Sequence, residues 1–154
     1  MIGDVLGLVT TDGNAGLENA VESIYPHVKR QRCWAHKLRN VSNYLKRRDQ
    51  DKCIKEARAI YSDENRKEAV KIYNEWVKKW RTAYPKAIKC IEKDLEELLN
   101  FYCCPQEIRV KVRTTNVIER AFREVRRRTT PIILLFHYSV QSIVLDYIKP
   151  AISA

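Results

Sequence analysis

Glycine and proline are scarce, 4 and 5 in 154 residues, which excludes collagen-like repeats and long low-complexity linkers. Long hydrophobic runs are missing as well. The longest apolar stretch, 131–145, is interrupted by His137, Ser139, Gln141 and Ser142, too short and too polar to span a bilayer. No basic start leads into an apolar segment with a small-residue cleavage site. The cysteines are five, an odd number, scattered through helical and turn-like sequence rather than set out as a disulfide framework. A reducing cytoplasm with free thiols is therefore expected. Acidic residues are also short, 19 against 29 lysines and arginines. The resulting net charge of +10 implies attraction to a polyanion, of which nucleic acid is the usual one.

What remains is 45% hydrophobic and 31% charged, enough to bury one real core. Val5-Leu6-Gly7-Leu8-Val9 is a continuous apolar run, the pattern of a strand buried on both faces of a sheet. Asp12-Gly13-Asn14 ends it, and Leu17, Ala20, Val21 and Ile24 then recur at the spacing of an amphipathic helix closed by Pro26. Val28 to Cys33 alternates and is basic, the pattern of a second short strand parallel to the first because a helix separates them. Two parallel strands do not make a stable sheet, so a missing N-terminal part is expected.

After Cys33 the pattern turns helical. Leu38, Val41 and Leu45 form a stripe, and 51–61 is a second helical segment. Ser62-Asp63-Glu64 caps a third, with Ala69, Ile72, Tyr73, Trp76, Val77 and Trp80 on one face. Pro85 opens a fourth helix running through Ile88, Ile91, Leu95, Leu98, Leu99 and Tyr102. The aromatics fall at helical spacing among aliphatics, which makes them core rather than a base-stacking platform. A turn at Cys103-Cys104-Pro105 and a short connection over 106–111 follow.

Thr114, Thr115 and Asn116 are helix-capping residues, and Asn116 stands three before Glu119, the spacing of a capping box. A helix is expected to start there, with Val117, Ile118, Ala121, Phe122 and Val125 on a buried side. Glu119, Arg123 and Arg126 flank that stripe, one carboxylate held on a helix beside guanidinium groups. Arg113, Arg120, Arg127 and Arg128 add to the charge, and each arginine that neutralised a phosphate would release counterions. The apolar segment 132–148 is read as helix.

Ligands of open α/β sheets lie beyond the carboxyl ends of the strands, and Asp12 occupies that spot. A carboxylate there and a second at Glu119 are hard oxygen ligands suited to Mg²⁺ or Mn²⁺. A two-metal site for phosphoryl transfer calls for a third carboxylate. Asp4, eight residues before Asp12 on the same strand, would lie about 26 Å away and cannot supply it. Cys33 and His36 have metal-ligand spacing, but a structural zinc site takes four ligands; Cys103 and Cys104 would have to complete it, and adjacent cysteines suit tetrahedral geometry poorly, so zinc is not the expected metal.

Three motifs converge on one family. Thr11-Asp12-Gly13 with Gly16-Leu17, then Gln31-Arg32-Cys33-Trp34-Ala35-His36-Lys37-Leu38-Arg39-Asn40-Val41, then Thr114-Thr115-Asn116-Val117-Ile118-Glu119-Arg120 with Arg123-Glu124-Val125-Arg126-Arg127-Arg128-Thr129, closely resemble the Mutator-type transposases of bacterial insertion sequences. The resemblance covers roughly 4–130. It implies an α/β, mostly helical chain: a partial ribonuclease-H-like core with two remaining strands over 1–37 and 103–130 and an all-helical insertion over 38–102, while the tail over 131–154 departs from the family pattern. It implies an Asp-Asp-Glu site that binds two divalent ions and cuts and joins DNA, with Asp12 as the second aspartate and Glu119 as the glutamate. Cys33 and His36 match a family motif without a settled role.

DNA, as element terminal repeats and target, is the expected partner, in the cytoplasm and with no membrane. Arg113, Asn116, Arg120, Arg123, Arg126, Arg127, Arg128, Lys37 and Arg39 are its expected contacts, and a homo-oligomer or full-length transposase is a further expected partner. The first aspartate of the family pattern is absent, so the chain is expected to be a transposase remnant, inactive alone. The rival reading is a non-catalytic basic helical module that binds DNA or pairs with full-length transposase.

Overall fold

The computed structural model describes residues 6–116 and 118–129. Expectations for Asp4, Val5, Val117 and the apolar tail after Thr129 lie outside the described residues. The chain divides into two compact units, Met1–Thr115 and Asn116–Ala154.

The first unit begins with β1 (Leu8–Thr11), α1 (Ala15–Ile24) and β2 (Lys29–Arg32). The strands pair in parallel, with Leu8 opposite Lys29 and Thr11 opposite Arg32, as a helical crossover requires. Expected burial on both faces of β1 is not observed. Leu8, Val9 and Thr10 are only half-buried, and Thr11 alone is covered, at 2% exposure. A strand is covered on both sides only when layers lie above and below it, and α1 turns just Val21 inward while Leu17 and Ile24 stay exposed.

The helical block follows as α2 (Trp34–Ser42), α3 (Arg47–Ala59), α4 (Arg66–Trp80), α5 (Pro85–Glu92) and α6 (Leu95–Leu99), then a 3-10 turn over Asn100–Cys103 and α7 (Gln106–Val112). One core cluster joins α2 to the 3-10 turn, from Trp34, Leu38, Val41 and Leu45 to Phe101 and Tyr102. The tryptophans lie inside it, each with its indole N–H satisfied: Trp34 on Leu98 O at 2.8 Å, Trp76 on Cys53 O at 3.1 Å and Trp80 on Glu56 at 2.8 Å. Pro85 is the first residue of α5, where its missing N–H has no helical partner to lose.

Three expectations are corrected. Asn65, not Ser62-Asp63-Glu64, caps α4, its side chain accepting from Glu68 N at 2.9 Å. The fourth helix is not continuous: the chain turns after Glu92, restarts at Leu95 and tightens at Asn100. Asp94 stands at that break, ion-paired with Lys37 of α2. The connection over 106–111 is instead α7, which buries no residue and so carries no stripe from which to predict it.

In the second unit, residue 116 and 118–129 are helical, the latter named α8 here. Its expected buried stripe is exposed: Ile118 at 57%, Phe122 at 59% and Val125 at 54%. No other element of that unit is among the described residues. No helix of the described residues is long and apolar enough to cross a membrane.

Candidate functional site

Asp12 follows the last residue of β1 and is exposed. Its carboxylate accepts from Asn14 N at 3.0 Å, while Asn14 caps α1 by accepting from Leu17 N at 3.1 Å. Between them Gly13 has a φ of 98°, a left-handed conformation open to glycine and strained for other residues. One carboxylate oxygen thus fixes the turn, and an exposed acid with lone pairs to spare suits a hard cation.

Gly13 lies against Arg32, whose side chain is 13% exposed and bonded to acids from two other elements. It pairs with Glu18 of α1 and with Glu97 of α6 at 3.0 Å, and lies 4.0 Å from Asp94. The neighbours of Arg32 act as a clasp. Gln31, fully buried in β2, donates to Leu98 O at 3.1 Å and accepts from Phe101 N at 2.7 Å. Trp34 binds the same carbonyl, and Asn100 donates to Arg30 O at 2.7 Å. The Gln31-Arg32-Cys33-Trp34 run therefore ties the strands to the far end of the helical block.

The segment after α7 comes back to the same strand ends. Thr10 Oγ1 donates to Val112 O at 2.5 Å, and Trp34 N to Arg113 O at 3.0 Å. Thr115 donates from its N–H (3.3 Å) and from its hydroxyl (3.4 Å) to Cys33 Sγ. His36 Nδ1 lies 3.3 Å from that sulfur and 3.4 Å from Thr115 Oγ1. Cys33 and His36 are brought together, then, with the Thr115 hydroxyl beside them. Among the described residues no group of three or more His, Cys, Asp or Glu could hold a metal ion.

The expected phosphate contacts divide. Lys37 is 5% exposed and pairs with Asp94. Arg113 donates to Tyr61 O at 2.6 Å and stacks 4.8 Å from the Tyr61 ring. Both are turned into the first unit. Arg39 is exposed on α2, and Asn116 is half-buried. On α8, Glu119 is half-buried while Arg120, Arg123, Arg126, Arg127 and Arg128 are exposed. Arg127 and Arg128 both grip Glu124, with bonds of 2.7 to 2.9 Å. Those bonds, to Arg127 first, hold the Glu124 carboxyl below the usual range.

Sequence reading gave no role to Gln31 or Arg32 beyond membership of the motifs, and to Thr115 only that of a helix-capping residue. A fully polar residue inside a four-residue strand was the available signal for Gln31, since a buried amide must find partners on other elements.

Residues 2–141 match the family described as Transposase, Mutator family. The chain is 41% identical over 123 residues to the transposase for insertion sequence element IST2 of Acidithiobacillus ferrooxidans, covering 80% of this chain and 42% of that protein. It is 35% identical over 122 residues to the transposase for insertion sequence element ISRM5 of Rhizobium meliloti, covering 79% and 31%. With the transposase for insertion sequence element IS905 of Lactococcus lactis the identity is 34% over 129 residues, covering 84% and 33%. The chain thus spans between 31% and 42% of the length of these curated relatives.

Proposed function

This chain belongs to the Mutator family of transposases, and from that premise we propose that it carries two acids of a ribonuclease-H-like site for metal-dependent DNA cleavage and strand transfer in the bacterial cytoplasm. Asp12 and Glu119 are those acids. Residues 1–37 and 103–130 are its share of the catalytic core, 38–102 the helical insertion, and 131–154 a tail of which the family match reaches residue 141. The observation that carries the reading is the return of 112–115 to the carboxyl ends of both strands, where Asp12 stands. Glu119 is four residues beyond Thr115, at most about 14 Å of extended chain.

Asp12 and Glu119 would hold Mg²⁺ or Mn²⁺, which when bound supplies charge neutralisation at the phosphodiester and an activated oxygen nucleophile. A two-metal site of this kind is normally built with a third carboxylate, so on this reading the chain alone is inactive. Its own residues do the rest. Arg120, Arg123, Arg126, Arg127 and Arg128, with Arg39, neutralise backbone phosphates of terminal repeats and target, and Asn116 adds a neutral donor. The Asx turn at Asp12 keeps its carboxylate in one orientation, and the Cys33–Thr115 bonds hold the end of the first unit at the strand ends.

The test is Mn²⁺ binding followed by electron paramagnetic resonance. Asp12→Asn and Glu119→Gln should each weaken binding about tenfold or more, a loss on the scale known for metal sites. Glu119→Gln should leave DNA affinity intact or slightly raised. Equal Mn²⁺ affinity in the parent chain and both variants would overturn the site.

A second reading draws on the exposed Ile118, Phe122 and Val125. On it α8 is a docking face for full-length transposase or a second copy, and the chain is a DNA-binding module without catalysis. Sedimentation of Phe122→Ser against the parent separates the two, since only the docking reading predicts a loss of association.

A further inference from the structure

Beyond the arginines of α8, a second basic surface lies within the first unit. Between α2 and α5 runs an open cleft of about 410 Å³, lined by Lys37, Asn40, Asn43 and Tyr44 on one side and Lys86, Lys89, Cys90 and Lys93 on the other. On α5, Ala87, Ile88 and Ile91 are buried in the core, which turns Lys86, Lys89 and Lys93 outward. Spacings of three and four residues put these lysines in one row, spanning about 10 Å of helix.

Among the described residues, none of the three makes an ion pair. The nearby acids are engaged: Asp94 by Lys37, and Glu92 by Arg81 at 2.9 Å. Among the described residues, no carboxylate lines the cleft. Lys37 forms its floor with its charge already matched, so the attraction comes from the three rim lysines. The opposite wall offers neutral donors in the amides of Asn40 and Asn43, both exposed, and Tyr44 is 49% exposed.

We propose that this α2–α5 cleft is a second DNA-binding site, holding the phosphodiester backbone without reading its sequence. A small-molecule site encloses its ligand in mostly apolar walls. This cleft is open and its rim is charged, the form that suits a polyanion passing through. A DNA strand presents a phosphate every 3.4 Å or so along the axis, so a row of about 10 Å can meet about three. Lysines act as point charges on flexible stems and lack the planar fork with which arginine reads guanine edges, which points to positioning rather than specificity. The choice of DNA as the polyanion rests on the transposase reading, but the site needs neither Asp12 nor Glu119.

The test is fluorescence anisotropy with a labelled duplex of arbitrary sequence, in chelator and without divalent cation, over a range of salt. Combined Lys86→Gln, Lys89→Gln and Lys93→Gln should reduce the slope of log K against log salt by about 2.7, three contacts at about 0.9 each. Binding at moderate salt should weaken about tenfold or more. Combined Lys52→Gln, Lys55→Gln and Lys78→Gln removes the same charge from exposed positions elsewhere on α3 and α4. It should move the slope by less than a third as much. An unchanged slope in the cleft variant, or equal changes in both triples, would overturn the proposal.

A footprint on the parent chain gives a second readout that no variant can spoil by misfolding. Bound duplex should protect Lys86, Lys89 and Lys93 from amine acylation more than Lys52, Lys55 and Lys78, and equal protection would sink the site. Both measurements exclude divalent cation, so failure here leaves the Asp12 and Glu119 reading untouched. Failure of the Mn²⁺ test leaves this one standing.

Discussion

α4 and α8 carry apolar residues at the same helical spacing and meet opposite fates. On α4, Ala69, Tyr73, Trp76 and Trp80 are 0%, 6%, 3% and 8% exposed; on α8, Ile118, Phe122 and Val125 are more than half exposed. Periodicity tells which side of a helix is apolar, and only a packed neighbour makes that side a core. α4 has such a neighbour in α3: Trp76 donates to the Cys53 carbonyl at 3.1 Å and Trp80 to the Glu56 carboxylate at 2.8 Å. For α8 no neighbour within its unit is among the described residues.

The contrast can be attacked first where it predicts most. Trp76→Ala empties a site that is 3% exposed and leaves Cys53 O without its indole donor. Truncations of this kind cost about 3–5 kcal/mol, a large part of a domain's total stability of about 5–15. Urea unfolding followed by far-ultraviolet circular dichroism should show the helical block shifted by that amount. A cost under about 1 kcal/mol would mean that α4 is no better packed than α8.

A smaller effect should appear in alkali. Burial pushes the Tyr102 phenol up to about 12 and the Cys53 thiol up to about 11, from ordinary values of 10.0 and 9.0. The folded state thus favours both groups neutral. The stability they contribute is complete below pH 9 and is lost as pH rises through the shifted values, over roughly pH 9 to 12. Tyr102 also donates to Ile60 O at 3.3 Å and to Asp63 O at 3.1 Å, bonds that ionisation removes. Tyrosinate absorbance should then show a late fraction that ionises together with the loss of helix. Tyr102→Phe should diminish that fraction, and a titration with every tyrosine near pH 10 would remove the distinction between buried block and exposed surface.

How much of this was legible follows the same division. Local spacing carries Pro85 at the start of α5, the Leu38, Val41 and Leu45 face, the parallel pair of strands, and Asp12 at a strand's carboxyl end. What depends on distant partners was not legible. Arg32 pairs with Glu97, 65 residues away, and Thr115 bonds to a sulfur 82 residues away. The break at Asp94 belongs with these, since its Lys37 partner is 57 residues off and no Gly or Pro announces the turn. The same holds for the inward course of Lys37 and Arg113, which composition counts as basic surface. For the candidate site the motifs pointed to Asp12 and Glu119, whereas the Asx turn and the docking of 112–115 emerged only in three dimensions.

The smallest effect tests the exposed side. Phe122→Ala removes a ring that is 59% exposed, so little apolar area returns to water and no cavity forms. Substitution at such a position stays within about 0.5 kcal/mol, and the urea midpoint should not move beyond that. The comparison is informative because Phe122 and Trp76 are both aromatic residues in apolar helical stripes and differ chiefly in burial. If Phe122→Ala cost as much as Trp76→Ala, α8 would be covered in solution and its stripe would be a core after all. If it costs nothing while weakening self-association on sedimentation, the stripe is a docking face, and its coverage comes from another chain.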